Sequence, residues 1–459
     1  MRRQYRWAVV AILAFWPGAA RALGTASYSS ELISTRSLGQ GGTGVAGTQN
    51  DPIAAYTNPA AMTALKGTQM SVGLSYANAR PDFTDAANSG GFGSGSPYTK
   101  GGAGQVSGAR ATSVAVPSFA ATTRFLDGKL AAGLAAVMPY GLETHFDGDS
   151  PIRYATTDAR LRIIDVTPSV AYAVCDGFSL GAGVDYWNTI EGVLEKKINV
   201  NALNASLGGA GGPDANSRLN GTGDGWGYHV GTTFKLGERH QIGLVYHSAV
   251  TIDLKGNVQV TGLSGNSAAV FGGHDFQTEA TAPLYMPQNL QIGWSFTPSE
   301  RWNFEADAAW YDWYAARQLG VVYNGNNAAV PSVANRILQT GNPQVFNPRK
   351  TLNFGLGANY KHGEALQLRG GAYYQAAALP ESSFDPAFVD LPRYALTAGI
   401  GYALTKSLGL DAAYNAVFFH SRSINAPDAA GGSSGYTGSF SSFANIFSAS
   451  LTYRLDAHL

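Results

Sequence analysis

The sequence predicts an all-β protein, a 14-stranded antiparallel transmembrane β-barrel with an N-terminal hatch (plug) inside its lumen. Three observations support this fold class. The chain begins with an export signal, its strand-length segments alternate apolar with polar or small residues, and the connections between these segments alternate between short and long. Each observation is taken below in the order of the chain.

Residues 1–22 have the three parts of a secretory signal peptide. Three arginines lie among the first six residues, residues 7–16 form a short apolar core, and Ala20-Arg21-Ala22 fits the small-x-small cleavage pattern. An apolar core this short cannot span the roughly 30 Å of hydrocarbon in a bilayer. The residue after the cleavage point is Leu23 rather than the cysteine of a lipoprotein. We therefore expect an exported protein.

The composition narrows the class of protein. Charged residues make up only 14% of the chain and the formal net charge is zero, so nothing suggests a nucleic-acid partner. The single cysteine, Cys175, excludes an intramolecular disulfide framework and a cysteine-rich metal site. After the signal peptide no apolar run is long enough for a transmembrane helix. An exported chain with few charges and many glycines and aromatic residues is typical of a bacterial outer-membrane β-barrel.

Residues 351–360 show the alternation of a membrane-spanning strand plainly. Leu352, Phe354 and Leu356 fall on one face, while Asn353 and the intervening glycines fall on the other. The same pattern predicts fourteen strands, and a change of phase near residues 163–164 predicts a β-bulge in the fourth. The predicted strands are 68–78, 112–126, 129–140, 160–175, 178–198, 226–236, 240–260, 284–297, 302–323, 349–361, 365–377, 393–405, 408–423 and 440–455.

The connections support a barrel more strongly than the strands do. Short turns rich in Gly, Asp and Pro, such as 126–128 and 175–177, alternate with long segments rich in Gly, Asn, Ser and Pro. Short periplasmic turns and long outer loops are the rule for outer-membrane barrels. We therefore divide the chain into a signal peptide (1–22), a hatch (23–66) and a transmembrane barrel (67–459).

Residues 39–44, Gly-Gln-Gly-Gly-Thr-Gly, spell a dinucleotide-binding fingerprint, but their context does not fit one. No buried strand precedes them, and no acidic residue follows at the required distance of about twenty residues. The sequence also lacks the serine elbow of hydrolases and the H-E-x-x-H zinc motif. His229 and His247 share the lumen phase of nearby strands, yet no serine can be paired with them. We therefore predict no enzyme, cofactor or metal.

Most charged residues of the predicted strands occupy the polar phase, which faces the lumen. Such a placement avoids the burial of charge in lipid. We expect these residues to form a salt-bridge network that holds the plug or stabilises the wall, and the alternative is a path for ions or a ligand. They are Asp185, Glu305, Asp307, Arg369, Asp411 and Arg454.

The N-terminal segment resembles a known family of transporters. "SLGQGGTGVAG" followed by "AAYTNPAAM" is similar to the hatch of the FadL family, bacterial outer-membrane transporters of long-chain fatty acids and other hydrophobic compounds. "MPYGLETHF" (138–146) resembles the third strand of that family, where the wall kinks inward. The resemblance implies passive transport: capture in an apolar pocket, movement of the hatch, and lateral release through the wall at the third strand.

The resemblance also implies site residues. Asn58, Pro59 and Ala60 match the NPA motif of the hatch and would lie by the kink, and Pro139, Tyr140 and Gly141 would form the lateral opening. Fatty-acid transporters of the family hold the carboxylate with basic residues, but here Gly320 and Asn188 stand at those positions. Candidate substrate-binding residues are then Leu23, Trp310, Trp313, Arg317, Lys196 and Lys197.

Other interpretations remain open from the sequence. Without a substitute cation the substrate is neutral, such as an aromatic hydrocarbon. Independently of the substrate, Trp310 and Trp313 either line the pocket or form an interfacial girdle. A general diffusion porin is the main alternative function, and the long loops would also suit an adhesin or phage receptor. We expect a monomer that contacts outer-membrane lipid and the outer-membrane assembly machinery.

Overall fold

The computed structural model describes residues 30–85, 106–108, 112–150, 152–323, 332–339, 342–426 and 436–455. The strands of the wall form one sheet in which every neighbouring pair is antiparallel. The sheet closes on itself because the first strand pairs with the last, from Gln69 opposite Arg454 to Asp85 opposite Gly438. The predicted 14-stranded barrel is confirmed. The predicted signal peptide and Leu23 lie outside the described residues.

Fourteen strands, β1 to β14, make up the wall, and three of them are interrupted once. Their bounds are β1 Gln69–Asp85, β2 Thr112–Phe125, β3 Leu130–His145, β4 Asp158–Cys175, β5 Phe178–Ile198, β6 Ala215–Leu236, β7 His240–His247 and Val250–Thr261, β8 Phe276–Met286 and Asn289–Phe296, β9 Trp302–Tyr311, β10 Thr351–His362, β11 Leu366–Gln375, β12 Arg393–Ala403, β13 Leu408–Phe419 and Arg422–Ala426, and β14 Tyr436–Arg454. Short additional strands are Val106–Gly108, Gln318–Leu319, Val322–Tyr323 and Gln344–Val345.

The helices are short and lie in the N-terminal segment and the connections. The α-helices are α1 Thr35–Gly39, α2 Ala54–Thr57, α3 Val200–Ser206, α4 Gly265–Phe271 and α5 Ser332–Leu338. The 3-10 helices are Ser30–Ile33, Pro59–Ala64, Leu126–Gly128, Trp313–Ala316 and Glu381–Ser383. In the described part of the chain, no helix has both the length and the apolar character needed to cross a membrane.

The alternation of the strands corresponds to two faces of the wall. In β10, Leu352 and Leu356 are 51% and 63% exposed on the outer face, whereas Thr351 is buried on the lumen face. The apolar outer side chains meet lipid and the small or polar inner side chains face the hatch. The bulge predicted in β4 was wrong: β4 keeps a strict alternation through residues 159–171, and its register against β5 shifts between Arg162 and Ile163 because β5 carries the extra residue, Ile190.

Several predicted strand limits were wrong. β6 begins at Ala215 rather than 226, and β8 begins at Phe276 rather than 284, because their outer ends carry no apolar-polar alternation that marks a strand. The predicted ninth strand, 302–323, ends at Tyr311, where a 3-10 helix replaces it. The fourteen strands are therefore of unequal length, and several extend as a wall beyond the apolar band.

Candidate functional site: a hatched lumen with an apolar chamber

The glycine-rich stretch 39–44 contacts a carboxylate group of the barrel wall through its backbone. Gly41 has φ +69°, and a Cβ there would lie 2.1 Å from the Leu356 carbonyl oxygen, so only glycine fits. The backbone amides of Gly44 and Val45 donate to Asp307 Oδ2 at 2.8 and 3.0 Å. Successive backbone amides that converge on one carboxylate form an anion-binding concavity. The stretch therefore docks the hatch on β9.

A buried ion triad joins the hatch to the opposite side of the wall. Arg36 of α1 donates from Nε to Asp411 Oδ2 at 2.9 Å, and Arg369 of β11 donates to Asp411 Oδ1 at 2.7 Å. All three side chains are nearly inaccessible to solvent. Arg36 also donates to the carbonyl oxygens of Gln49 and Asn50. The lumenal charges thus hold the plug, as the sequence predicted for Asp307, Arg369 and Asp411.

The Asn58-Pro59-Ala60 motif packs against β5 and β6. Asn58 Nδ2 donates to the carbonyl oxygens of Val45 at 2.7 Å and Thr232 at 3.1 Å, and its Oδ1 accepts from the Ala60 amide. The motif approaches the wall at glycines, since a Cβ on Gly231 would lie 2.2 Å from Asn58 Oδ1. The motif therefore fixes the hatch to β5 and β6, which come later in the chain than the predicted opening at the third strand.

A serine, a histidine and an aspartate of the wall converge against α2 of the hatch. His229 Nδ1 lies 2.7 Å from Asp185 Oδ1, and Ser169 Oγ lies 3.3 Å from His229 Nε2. Ser169 is the partner that the sequence could not identify. Both Ser169 Oγ and His229 Nε2 also contact the Ala55 carbonyl oxygen, at 2.7 and 3.1 Å. The Ala55 carbonyl group thus occupies the place where a substrate would have to contact Ser169 and His229. The three side chains therefore anchor the hatch to the wall.

An apolar chamber lies on the outer side of these contacts. Strands β3 to β8 and the loop before β12 enclose it. Its volume is about 110 Å³, of the same order as the roughly 150 Å³ of an apolar cavity that admits benzene. The lumen-facing lining side chains are apolar. They are Leu142, Ala159, Leu161, Leu194, Leu219, Leu254, Ala280, Ala282, Leu284, Leu319, Ala387 and Phe388.

A larger apolar cluster continues from the chamber toward the predicted opening. Trp313 is buried in this cluster with Tyr140, Trp187 and Leu161. The rings of Tyr140 and Trp187 are 5.1 Å apart. Trp313 is therefore brought to the chamber, whereas Trp310 lies opposite the exposed outer residues Leu290 and Leu352.

The predicted cations are distributed differently. Arg317 is exposed, with its guanidinium 5.3 Å from the centre of the Tyr314 ring. Lys197 Nζ donates to Asn216 Oδ1 at 2.6 Å. Lys196, in contrast, follows Leu194 in the phase that faces the lumen, because a bulge at Ile190 reverses the alternation of β5.

Lys196 lies two residues beyond the chamber-lining Leu194 and outside the membrane-facing apolar band of β5, which ends at Ile190. Its side chain is exposed. Desolvation by the surrounding protein lowers the pKa of the Lys196 ammonium, and the Asp385 carboxyl partly offsets this effect. Lys196 makes no direct hydrogen bond or ion pair with another described residue. Of the three predicted cations, Lys196 is the one that lies in the lumen phase next to the chamber-lining Leu194.

The third strand departs from the wall where Pro139, Tyr140 and Gly141 lie. β2 and β3 pair only from Phe125 opposite Leu130 to Phe119 opposite Ala136. Beyond Ala136, β3 pairs with β4 alone among the described strands, and its register shifts between Val137 and Tyr140. Residues 137–140 are buried without alternation. The wall therefore has an unpaired seam between β2 and the outer part of β3.

A buried cluster fills this seam and includes a hatch residue. Leu38 of α1 packs with Met138 of β3 and with Val114 and Val116 of β2. Met138 belongs to this seam cluster, and Tyr140, two residues further along β3, belongs to the separate cluster that continues to the chamber. A displacement of the hatch at Leu38 would remove packing from the seam.

A closed wall, an interior N-terminal segment and an apolar chamber define a plugged transmembrane barrel, a class found in the bacterial outer membrane. Residues 19–455 match the model of the outer membrane protein transport protein family (OMPP1/FadL/TodX), and the chain belongs to this family. The predicted family and outer-membrane location are confirmed. Because the family consists of transport proteins, the prediction that the chain is not an enzyme is confirmed as well.

Individual relatives agree with this assignment. The chain is 26% identical over 425 residues to outer membrane protein P1 of Haemophilus influenzae, covering 86% of each protein. It is 22% identical over 310 residues to the long-chain fatty acid transport protein of Escherichia coli O6:H1, covering 64% of this chain and 66% of that one.

Solved structures show the same fold. A FadL homologue from Pseudomonas aeruginosa has a TM-score of 0.76 at 23% identity, covering 95% of this chain and all of that one. The toluene transporter TodX from Pseudomonas putida has a TM-score of 0.67 at 18% identity, covering 93% and 99%.

Sequence reasoning missed the chamber lining. Leu142, Leu161 and Leu194 occupy the lumen phase, where polar residues were expected. A signal was present, since Ala159, Leu161 and Ile163 are apolar residues in the same phase as the lumen-facing Asp165. A strand with apolar residues on its lumen face indicates an apolar interior.

Proposed function

We propose that the chain carries hydrophobic compounds passively across the outer membrane, and that amphipathic acids such as long-chain fatty acids fit it best. The observation that carries this proposal is the apolar chamber beside Lys196. The chamber would take an apolar tail, and Lys196 would pair with a carboxylate. Burial of apolar surface contributes about 25 cal/mol per Å² to such capture.

Lateral release through the seam is the second part of the proposal. The substrate would pass from the chamber along the Tyr140–Trp187 cluster to the edge of β3. Displacement of Leu38 with the hatch would then loosen the Met138 cluster and open the path toward lipid. The unpaired stretch of β3 beyond Ala136 supports this route, because separating it from β2 would break no backbone ladder between the described residues. Pro139 suits the break, since proline lacks a ladder donor.

Neutral aromatic hydrocarbons are a second candidate class of substrate. The observation in favour is that the lumen-facing side chains of the chamber itself are apolar, while Lys196 lies at its edge. An apolar molecule without a charged head would be captured by the same surface, and the loss of Lys196 would not affect it.

Uptake measurements in bacteria that lack their own transporter for these compounds test the proposal. Cells that express the chain should accumulate labelled oleate above the empty-vector rate. Ala282→Trp, which fills the chamber, should reduce uptake at least tenfold. Ala308→Trp is the matched control, because Ala308 lies opposite Ile292 on the outer face, where an aromatic residue suits the membrane. Free entry of small sugars without oleate or toluene uptake would favour a porin.

A second pair of variants separates the substrate classes. Lys196→Gln should reduce oleate uptake and leave toluene uptake unchanged, whereas Lys197→Gln should affect neither. Equal toluene uptake by both variants, with no oleate uptake by the wild type, would identify a neutral-hydrocarbon channel. An oleate rate that is unchanged in Lys196→Gln would remove Lys196 from the mechanism.

A further inference from the structure

A buried cluster of metal-ligating side chains lies beneath the hatch, apart from the chamber. Asp185, His229 and His247 come from the neighbouring strands β5, β6 and β7, and one ligand atom of each lies within 4.8 Å of the others. All three side chains are almost completely buried. The stacked rings of His229 and His247 have their centres 5.0 Å apart. Two imidazoles and a carboxylate are a donor set that suits Zn²⁺ and related ions.

The groups around the cluster correspond to the outer contacts of a metal site. A histidine that binds a metal usually donates its other ring N–H to a carbonyl or carboxylate. His229 Nε2 lies 3.1 Å from the Ala55 carbonyl oxygen, which leaves Nδ1 toward Asp185. Asp185 Oδ1 in turn accepts from Thr167 Oγ1 at 2.7 Å. The ring and the carboxylate are therefore already oriented by second partners.

Two buried groups nearby have unsatisfied polar atoms. His247 Nδ1 has no hydrogen-bond partner among the described residues, and the Asp165 carboxylate has only a weak interaction with the Trp187 indole. Asp165 is fully buried and interacts electrostatically with Asp185. A buried carboxylate with so little hydrogen bonding is costly. A divalent cation would offset the charge of both carboxylates and would use the free lone pair of His247.

We propose that Asp185, His229 and His247 bind a divalent transition-metal ion such as Zn²⁺ between the barrel wall and the hatch. The ion replaces the proton shared between His229 Nδ1 and Asp185, and that proton is released to solvent. Zinc–ligand distances near 2.1 Å require the three donors to move closer together than they are here. Since His229 also holds Ala55, the ion would fix the side chain that anchors α2 of the hatch.

Metal binding to the folded, purified chain in detergent tests this proposal. The protein is stripped with chelator, dialysed against limiting Zn²⁺ and analysed for bound metal, and Co²⁺ is added separately for its visible absorption. We expect one ion per chain and a Co²⁺ spectrum typical of nitrogen ligands in low-symmetry coordination. His247→Gln should weaken binding at least tenfold, and Asp185→Asn should do the same.

His240→Gln is the matched control. His240 stacks on Trp294 and Phe296 of the neighbouring strand, so its loss should leave metal binding unchanged. Gel mobility before and after boiling shows whether each variant has folded as a barrel. Wild-type protein that retains no ion, or a folded ligand variant that binds as tightly as His240→Gln, would overturn the proposal. The wild-type result decides even where a ligand variant does not fold.

Discussion

Substitution of Gly231 by alanine should loosen the Asn58-Pro59-Ala60 segment of the hatch. A Cβ at this position would lie 2.2 Å from Asn58 Oδ1 and 3.0 Å from Pro59 Cδ, so Asn58 must retreat by more than an ångström. Its two donated hydrogen bonds, to the carbonyl oxygens of Val45 and Thr232, would then be lost.

The magnitude follows from these two bonds. A buried hydrogen bond contributes about 1 kcal/mol, and a buried group left without a partner costs about 1–3 kcal/mol. Docking of the segment should therefore weaken by about 2–4 kcal/mol, which raises its undocked population by a factor of about 30 to 1,000. The backbone ladder of β6 is unchanged, so the barrel should fold normally.

Single-barrel conductance in planar bilayers measures this effect. The wild type should open rarely, and Gly231→Ala should show a higher frequency of openings. Gly409→Ala is the control, because its Cβ would meet only the Thr452 carbonyl oxygen at 4.0 Å. Conductance records that do not differ between the two variants would refute the account of how this motif seals the lumen.

Two further predictions concern buried charge. Asp411→Asn removes the negative charge that Arg36 and Arg369 share. Leaving buried charges uncompensated in this way costs about 3–5 kcal/mol, so hydrogen exchange of residues 30–50 should accelerate, and unchanged exchange would contradict the anchoring role. Burial raises the pKa of Asp390, in the loop before β12, from 3.8 to about 6. The folded loop then binds this proton more tightly than the unfolded loop, so its stability is greatest below about pH 4 and falls as the pH rises to about 6. Amide protection factors of residues 378–391 should fall as the pH rises over this range, and this pH dependence should disappear in Asp390→Asn. If the pH dependence survives the substitution, another group is responsible for it.

The wall was predictable because each strand near the membrane meets lipid on one face only. That difference gives a two-residue alternation, which identified β10 from outer-phase residues such as Leu352, Phe354 and Leu356. Where β6 extends beyond the lipid, its outer face is polar, and its residues 215–225 have the composition of a loop. The strand limits at 226 and 284 were wrong for this reason.

The site was less predictable because local irregularities change which side chains face inward. A one-residue bulge at Ile190 turns Lys196 toward the lumen in place of Lys197. A 3-10 helix after Tyr311 brings Trp313 into the chamber cluster, while Trp310 stays on the outer face. Ser169 and His229 are 60 residues apart in sequence, and only the pairing of β4, β5 and β6 brings them together.

The route of release is the central claim, and a reversible cross-link across the seam tests it most directly. Val116 and Met138 pack in one cluster between β2 and β3, so cysteines at both positions, in a Cys175→Ser background, should form a disulfide there. A second pair at Phe119 and Ala136, which already face each other in the paired region, is the control, and mass spectrometry verifies both bonds. Oleate uptake should fall when the first pair is oxidised and recover on reduction, while the control pair has no effect. Undiminished uptake through a barrel whose seam is covalently closed would contradict lateral release.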